Sequence, residues 1–323
     1  MKIVCDRHIP FLADAIQNAM PEVQICPMES EEIDTFVLRD ADALFIRTRT
    51  KVNRDLLEGT KVQFVATATI GYDHIDTAYC DEIGVKWVSC PGCNAQAVCD
   101  YVEAAIDYFA ADALWMRDPT LGIIGYGHIG SLVAKMAARK GLKVLVNDPP
   151  KNIGVTIDEI EGKCDFITFH TPLSFNPNPY PTYHLCDASF LSRCKPEAII
   201  INAARGGIID EKALLHSGHR CVIDCWEHEP DVNTDLLLSP QTILASCHIA
   251  GYSLDGKINA TQMCLDAFCL HFGLAPMRIN RRSLQLSPEM TGDSADGWLQ
   301  RVSQSLKSHP EAFEQLRKNY RLR

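Results

Sequence analysis

The chain has 323 residues, 46% apolar and 22% charged, the composition of an ordinary soluble globular protein with length enough for two or three domains. Its formal charge of −10 speaks against a nucleic-acid or anionic-membrane surface, since neither polyanion attracts an acidic protein, although a local cationic pocket stays open. No apolar run approaches the roughly 20 residues that span a bilayer, and the start MKIVCDRHIP breaks too soon into charge and proline for a signal peptide, so a cytoplasmic location is expected.

Over the first part of the chain, apolar runs alternate with amphipathic stretches: KIVCD, PFLADAIQNAM, ADALFIR and VQFVATATIGYDHID. Short buried strands separated by helices predict an open parallel sheet, here a flavodoxin-like α/β domain over 1–93. Residues 94–112, NAQAVCDYVEAAIDYFAAD, carry apolar side chains at helical spacing and predict one long helix with Asn94 as its N-cap. That helix leads into a second domain over 94–253. Its runs LGIIGYG, LKVLVND, CDFITFH, AIIINAA, RCVIDCW and TILASCH predict the strands of a Rossmann-type, doubly wound parallel sheet. The proline-rich SFNPNPYPTY predicts a surface loop. A helix over 254–272 is expected to pack back on the first domain. The remaining 273–323 is polar, with turn-rich SPEMTGDSADG and an amphipathic helix near 298–306. Lacking a core of its own, this short tail is docked, oligomerising or partly mobile.

Fourteen cysteines are scattered through apolar segments and predict small buried hydrophobes, not a disulfide framework. The one CxxC, Cys90-Pro91-Gly92-Cys93, has no second CxxC or paired histidines at ligand spacing, so no metal is expected.

Gly125-Tyr126-Gly127-His128-Ile129-Gly130 follows the strand TLGII and opens the helix SLVAKMAARKG. In such a turn the first glycine permits the bend, the second lets backbone approach a pyrophosphate, and the third lets helix pack on strand. The amides of His128 and Ile129 would then face the phosphates at a helix N-terminus. Asp148 ends LKVLVND, where a carboxylate accepts hydrogen bonds from an adenosine ribose. A carboxylate there repels a 2′-phosphate, which favours NAD over NADP. Pro149-Pro150 behind it leaves no backbone donors.

Arg205, Glu229 and His248 stand in NAARGGIID, DCWEHEP and SCHIAGY. Oxidising a secondary alcohol needs a base for the hydroxyl proton, and reduction needs the matching acid; His248, at the end of TILASCH, can serve as both. Glu229 would hold the other imidazole nitrogen and orient the ring. Arg205 can grip a carboxylate in forked geometry and polarise the carbonyl beside it. Taken singly each has a structural explanation; together at the strand ends of a nucleotide-binding sheet they favour catalysis.

GIIGYGHIG, HTPL, NAARGGIID, DCWEHEP and HIAGYSLDGK, in that order, resemble the D-isomer-specific 2-hydroxyacid dehydrogenase family, a likeness that covers most of residues 1–272. The resemblance implies NAD-dependent hydride transfer at C2 of a 2-hydroxy acid, in a cleft between the two domains. By it, Arg205, Glu229 and His248 match the catalytic residues, while Thr171, Asp224 and Gly251 match positions that contact NAD. It places Thr48, Thr69 and Tyr252 at the substrate. RTRTK adds Arg47, Arg49 and Lys51, cations suited to a phosphorylated substrate or else part of a solvated turn; Arg49 in particular can point outward, because alternate residues of an extended segment face opposite ways. Thr48 stands where the family often has serine. The family's C-terminal dimerisation domain is larger than this tail, so a homodimer is expected with its geometry open. Two other readings remain: a related enzyme acting on phosphoglycerate or glyoxylate, and an NAD-sensing binding protein that kept the fold without the activity.

Overall fold

The computed structural model describes residues 1–110, 118–279 and 297–322. They form two compact units, Met1–Asn94 with Ser253–Pro288 and Ala95–Tyr252 with Glu289–Arg323.

The first unit is built on five parallel strands, β1 (Lys2–Asp6), β2 (Gln24–Met28), β3 (Ala43–Ile46), β4 (Phe64–Thr67) and β5 (Lys86–Val88), in the order β2-β1-β3-β4-β5. This is the flavodoxin-like order, with its switch point between β1 and β3. Strands β3 and β4 are buried along their whole length, which is why they read as continuous apolar runs. The edge strands β2 and β5 are partly exposed, and neither stands out as an apolar run in the sequence. Pro27 sits within β2, which an edge strand tolerates because one of its sides needs no hydrogen-bond partner. The helix Leu254–Phe272 covers this sheet: Phe268 meets Phe45 and Phe64 with ring centroids 5.4 and 5.9 Å away, and Ala260, Cys264 and Leu265 are buried in the same core.

Asn94 does not cap the helix that follows it, Ala95–Ala110. Its Oδ1 is buried and accepts no hydrogen bond from the described residues. The side chain is instead wedged against Gly256, where an added Cβ would lie 3.2 Å from the Asn94 Cβ. The helix is held by the burial of Val98, Tyr101, Val102, Ala105, Ile106 and Phe109 on one face.

The second unit carries β6 (Thr120–Ile124), β7 (Lys143–Asp148), β8 (Ile153–Gly154), β9 (Phe166–Phe169), β10 (Ile199–Asn202), β11 (Cys221–Ile223) and β12 (Thr242–Ala245), ordered β12-β11-β10-β9-β6-β7-β8. All six expected strands are present and parallel, and the two-residue β8 is added antiparallel to β7. The order reverses between β6 and β9, the doubly wound pattern whose crevice lies beyond the carboxyl ends of those strands. The tail from residue 297 on is docked on this unit, while Met277 of its first stretch is buried in the core of the first. Leu299 and Leu306 of the helix Trp298–Ser308, with Phe313 of the helix Phe313–Lys318, are buried in its core. Side chains from the first helix also serve the outer edge of β12: Ala245 N–H donates to Ser303 Oγ at 3.0 Å, and Lys307 Nζ donates to Thr242 O.

All fourteen cysteines are free and all but Cys26 and Cys93 are buried. Cys90 of the CxxC points into the first core, its Sγ 3.5 Å from Cys264 Sγ. Most of 174–183 is exposed, as expected for a loop.

Candidate active site

The turn after β6 shows why three glycines are needed. Gly125 has φ +94°, in the left-handed region, and an added Cβ would lie 2.7 Å from the carbonyl of His170 beyond β9. A Cβ on Gly130 would lie 2.0 Å from Gly125 O, so the helix His128–Arg139 can approach its strand only without one. Gly127 is the N-cap of that helix and faces open space, with only Lys151 Nζ as near as 4.0 Å to an added Cβ. His128 and Ile129 open the helix there, so their amides belong to its positive end.

Asp148, at the end of β7, is buried. Its Oδ2 accepts the Tyr126 amide at 2.8 Å and Lys151 Nζ at 3.2 Å, and Lys151 also donates to Tyr126 O at 2.7 Å. Lys151 thus folds back over the turn as a cation at the open face of Gly127. Across the switch point, Thr171 Oγ1 and His170 Nδ1 are buried with no hydrogen-bond partner among the described residues. Unpaired buried polar atoms beside an open helix N-terminus fit a bound dinucleotide, whose polar groups would satisfy them. His170, the first residue of HTPL, joins the expected Thr171 here, a place that HTPL alone does not reveal. Desolvation pushes its pKa down to about 3, so the ring is neutral, with Nε2 3.1 Å from Thr168 Oγ1.

At the other end of the sheet, His248 and Glu229 are joined: Nδ1 lies 2.8 Å from Glu229 Oε2, while Oε1 accepts the Trp226 amide at 2.9 Å. With Nδ1 engaged on a carboxylate, Nε2 is the nitrogen left for a proton on a ligand. His248 has φ +56°, a left-handed conformation that costs energy for a side chain of this size. Asp224 holds it there. Asp224 O accepts the His248 amide at 2.9 Å, Oδ1 the Ile249 amide at 2.8 Å, and Oδ2 the Ala250 amide at 3.0 Å, so three successive amides wrap one residue. Ser246 Oγ adds a bond to Oδ1 at 2.6 Å and lies 2.8 Å from the buried Tyr101 hydroxyl. Asp224, expected beside the cofactor, is only 1% exposed, and its carboxylate builds the turn that carries His248. Gly251 and Tyr252 complete that turn, with Tyr252 N–H donating to Ile249 O at 2.8 Å.

Arg205 is exposed just past β10, its Nη1 donating to Ala204 O at 2.8 Å. Its loop is pressed against the one carrying Glu229, since a Cβ on Gly206 would lie 1.8 Å from Trp226 O. Both Glu229 and Arg205 act on the buried Cys225 thiol, whose pKa is pushed well up by burial first, then by the Asp224 and Glu229 carboxylates, against the opposing Arg205 charge. Cys225, Glu229 and His248 are also the group of potential metal-ligand side chains found among the described residues, with ligand atoms within 4.8 Å of one another.

The first unit sets the other expected residues at strand ends. Arg47 follows β3 and donates from Nε to Asp6 Oδ2 at 3.0 Å, across the switch point from β1. Burial alone would raise the pKa of Asp6, but the His8 amide, Arg47 and Ser30 outweigh it and hold it low. Thr48 is exposed, and Arg49 reaches outward to Glu31 at 3.5 Å between two exposed side chains. Thr69 follows β4, its hydroxyl 2.6 Å from Thr67 Oγ1 and 2.9 Å from Gly71 O. Lys257, the last residue of HIAGYSLDGK, is a further cation of this unit that the motif does not mark as part of the site. Desolvation lowers its pKa, and the Arg47 charge lowers it further, so two cations act on each other in this unit.

Residues 105–250 match the D-isomer specific 2-hydroxyacid dehydrogenase NAD binding domain. An erythronate-4-phosphate dehydrogenase of Bacteroides fragilis is 42% identical over 100% of this chain and 97% of its own length. One of Cronobacter sakazakii is 37% identical over 100% of this chain and 92% of its own. Among solved structures, NAD+-bound 3-phosphoglycerate dehydrogenase of Entamoeba histolytica superposes with TM-score 0.69 at 23% identity, over 87% of this chain and 99% of that one. With its full length matched at this identity, and with a dinucleotide turn and a carboxylate-held histidine on one sheet, the chain belongs to the D-isomer-specific 2-hydroxyacid dehydrogenase family, among its NAD-dependent enzymes acting on CH–OH groups.

Proposed function

We propose that the chain oxidises 4-phospho-D-erythronate at C2 to 2-oxo-3-hydroxy-4-phosphobutanoate, with NAD as acceptor, in pyridoxal 5′-phosphate biosynthesis. The His248–Glu229 pair at 2.8 Å carries the chemical part of this reading, and the names of the full-length relatives support the substrate. Gly125, Gly127, Gly130 and the amides of His128 and Ile129 would hold NAD, together with Asp148, Thr171 and Gly251 and with Asp224 acting through the turn it builds, and the bound nucleotide would supply the acceptor for the hydride from C2. His248 takes the hydroxyl proton at Nε2 as C2–O becomes C=O, and Glu229 keeps the ring in the tautomer that can accept it. Arg205 grips the carboxylate and polarises the adjoining oxygen. Thr48, Thr69 and Tyr252 contact the rest of the substrate, and Arg47 with Lys257 meets the phosphate.

We assign residues 1–93, with the helix over 254–272, to substrate binding and 94–253 to NAD binding, and 273–323 to a reduced dimerisation segment. A cytoplasmic homodimer is the proposed state. Among the described residues no helix is long and apolar enough to cross a membrane.

The test is NADH formation from a panel of 2-hydroxy acids. 4-Phosphoerythronate is expected to give the highest kcat/KM, and preference for 3-phosphoglycerate or an unphosphorylated acid would overturn the substrate assignment. His248→Ala is expected to lower kcat by about a hundredfold or more. Equal rates would remove His248 from the mechanism.

A further inference from the structure

We propose that Arg317, on the C-terminal helix Phe313–Lys318, is a positioning residue of this active site, fixing the Tyr252 phenol so that its proton is offered to the bound hydroxy acid. The inference deepens the function proposed above and rests on it. Arg317 Nε donates to Tyr252 Oη at 3.1 Å, and the guanidinium carbon lies 5.8 Å from the centroid of the same ring. Tyr320 meets that ring edge-on, centroids 6.3 Å apart at 63°. The phenol is therefore held on its oxygen by one residue of the tail and on its ring by another.

A guanidinium N–H has no lone pair to give. The phenol oxygen must accept from Arg317, and its single proton is left to be donated elsewhere. Tyr252 closes the turn that begins at His248 and Ile249, so the tail is tied to the segment that carries the proposed base. Arg317 also feels Glu229: burial works against its charge, but Tyr252, Glu229 and Glu314 outweigh that and keep it firmly protonated. The seat is fixed by Phe313, buried at 1% exposure, and by an ion pair from Nη1 to Glu314 at 3.5 Å.

The experiment is a double-mutant cycle on the full chain, with steady-state kinetics in 4-phosphoerythronate and in NAD. Arg317→Met, which keeps the aliphatic packing, is expected to raise KM for the hydroxy acid about tenfold, the effect of losing one charged hydrogen bond, while KM for NAD moves less than about twofold. Arg317→Lys is expected to recover part of the loss. Tyr252→Phe is expected to match Arg317→Met, and the double variant to be no worse than Tyr252→Phe alone. Multiplying effects in the double variant, an unchanged hydroxy-acid KM in Arg317→Met, or equal rises in both KM values would overturn the inference. If the wild type prefers a different 2-hydroxy acid, the substrate assignment falls and the same cycle on that acid decides Arg317; if it oxidises none, both fall.

Discussion

The two units share a plan, a parallel sheet with its polar residues at the carboxyl ends of the strands, yet they hold those residues in different states. In the second unit the site is preset. Gly125 and Gly130 tolerate no Cβ, three amides wrap Asp224, and Glu229 already grips His248. In the first unit the polar groups are engaged with each other: Arg47 with Asp6, the Thr69 hydroxyl with Thr67 and Gly71. A group already aimed needs no reorganisation when the reaction occurs, which is what transition-state stabilisation demands. A group with an internal partner must exchange one hydrogen bond for another, so its net gain is small and depends on the ligand. On the proposed function, the base and its carboxylate would work from preset positions, while Arg47 and Thr69 would select the substrate by trading partners.

The sharpest way to break this contrast is Gly130→Ala. Its Cβ has no room against Gly125 O, so NAD-dependent activity is expected to disappear, measured as NADH formation together with the melting midpoint. Near-normal NAD affinity would show that the turn is not preset. Next in size is Glu229→Gln, expected to lower kcat by about a hundredfold to ten-thousandfold with KM for NAD little changed, because the imidazole loses its charged partner. In the first unit, Arg47→Ala is expected to raise the hydroxy-acid KM about tenfold. Arg49→Ala, two residues on and paired with exposed Glu31, should leave KM within about twofold. Equal effects of the two would mean that RTRTK acts as a diffuse charge.

A further effect, on stability and not on the reaction, concerns Glu211, buried behind the loop that carries Glu229. Burial first, then the Glu227 and Glu229 charges, raise its pKa to about 7, against the opposing Glu227 amide at 2.6 Å. Its unfolded pKa is about 4.3, so between that value and about 7 the folded chain binds more protons. Its contribution to stability is complete below the unfolded value and is lost as pH rises to about 7. The loss is on the order of 4 kcal/mol at most. Glu211→Gln is expected to flatten that part of the stability profile, seen as a shrinking melting-temperature deficit of the wild type as pH falls from 8 to 5. A variant that tracks the wild type across this range would sink the account.

Much of this arrangement was legible in the sequence, for identifiable reasons. Five of the six expected strands of the second unit are almost wholly buried, so each appears as an unbroken apolar run, and β7, only partly buried, still shows one in KVLV. The edge strands β2, β5 and β8 left no such trace, being short, partly exposed or interrupted by Pro27. The glycine turn was readable because its steric demands leave no other residue. The inward turn of Asp224 was not, since nothing in DCWEHEP tells a carboxylate that faces a ligand from one that faces three amides of the next loop. Arg47 was readable as a cation but not as a partner of Asp6, forty-one positions away. Arg317 was invisible for the same reason, in a tail whose polar composition concealed where it docks.

The side chains of Ser303 and Lys307 reach the Ala245 amide and the Thr242 carbonyl on the open side of β12. In doing so they stand in for the backbone of a neighbouring strand. A sheet edge left bare invites another molecule to add a strand to it, the usual route to swapped or stacked assemblies. Here that route is closed at β12 by a helix, which cannot itself be extended by strand pairing. Copies of this chain that associate must therefore meet through side-chain packing or through another edge, and cutting the chain before Trp298 would turn a sealed border of the sheet into an adhesive one.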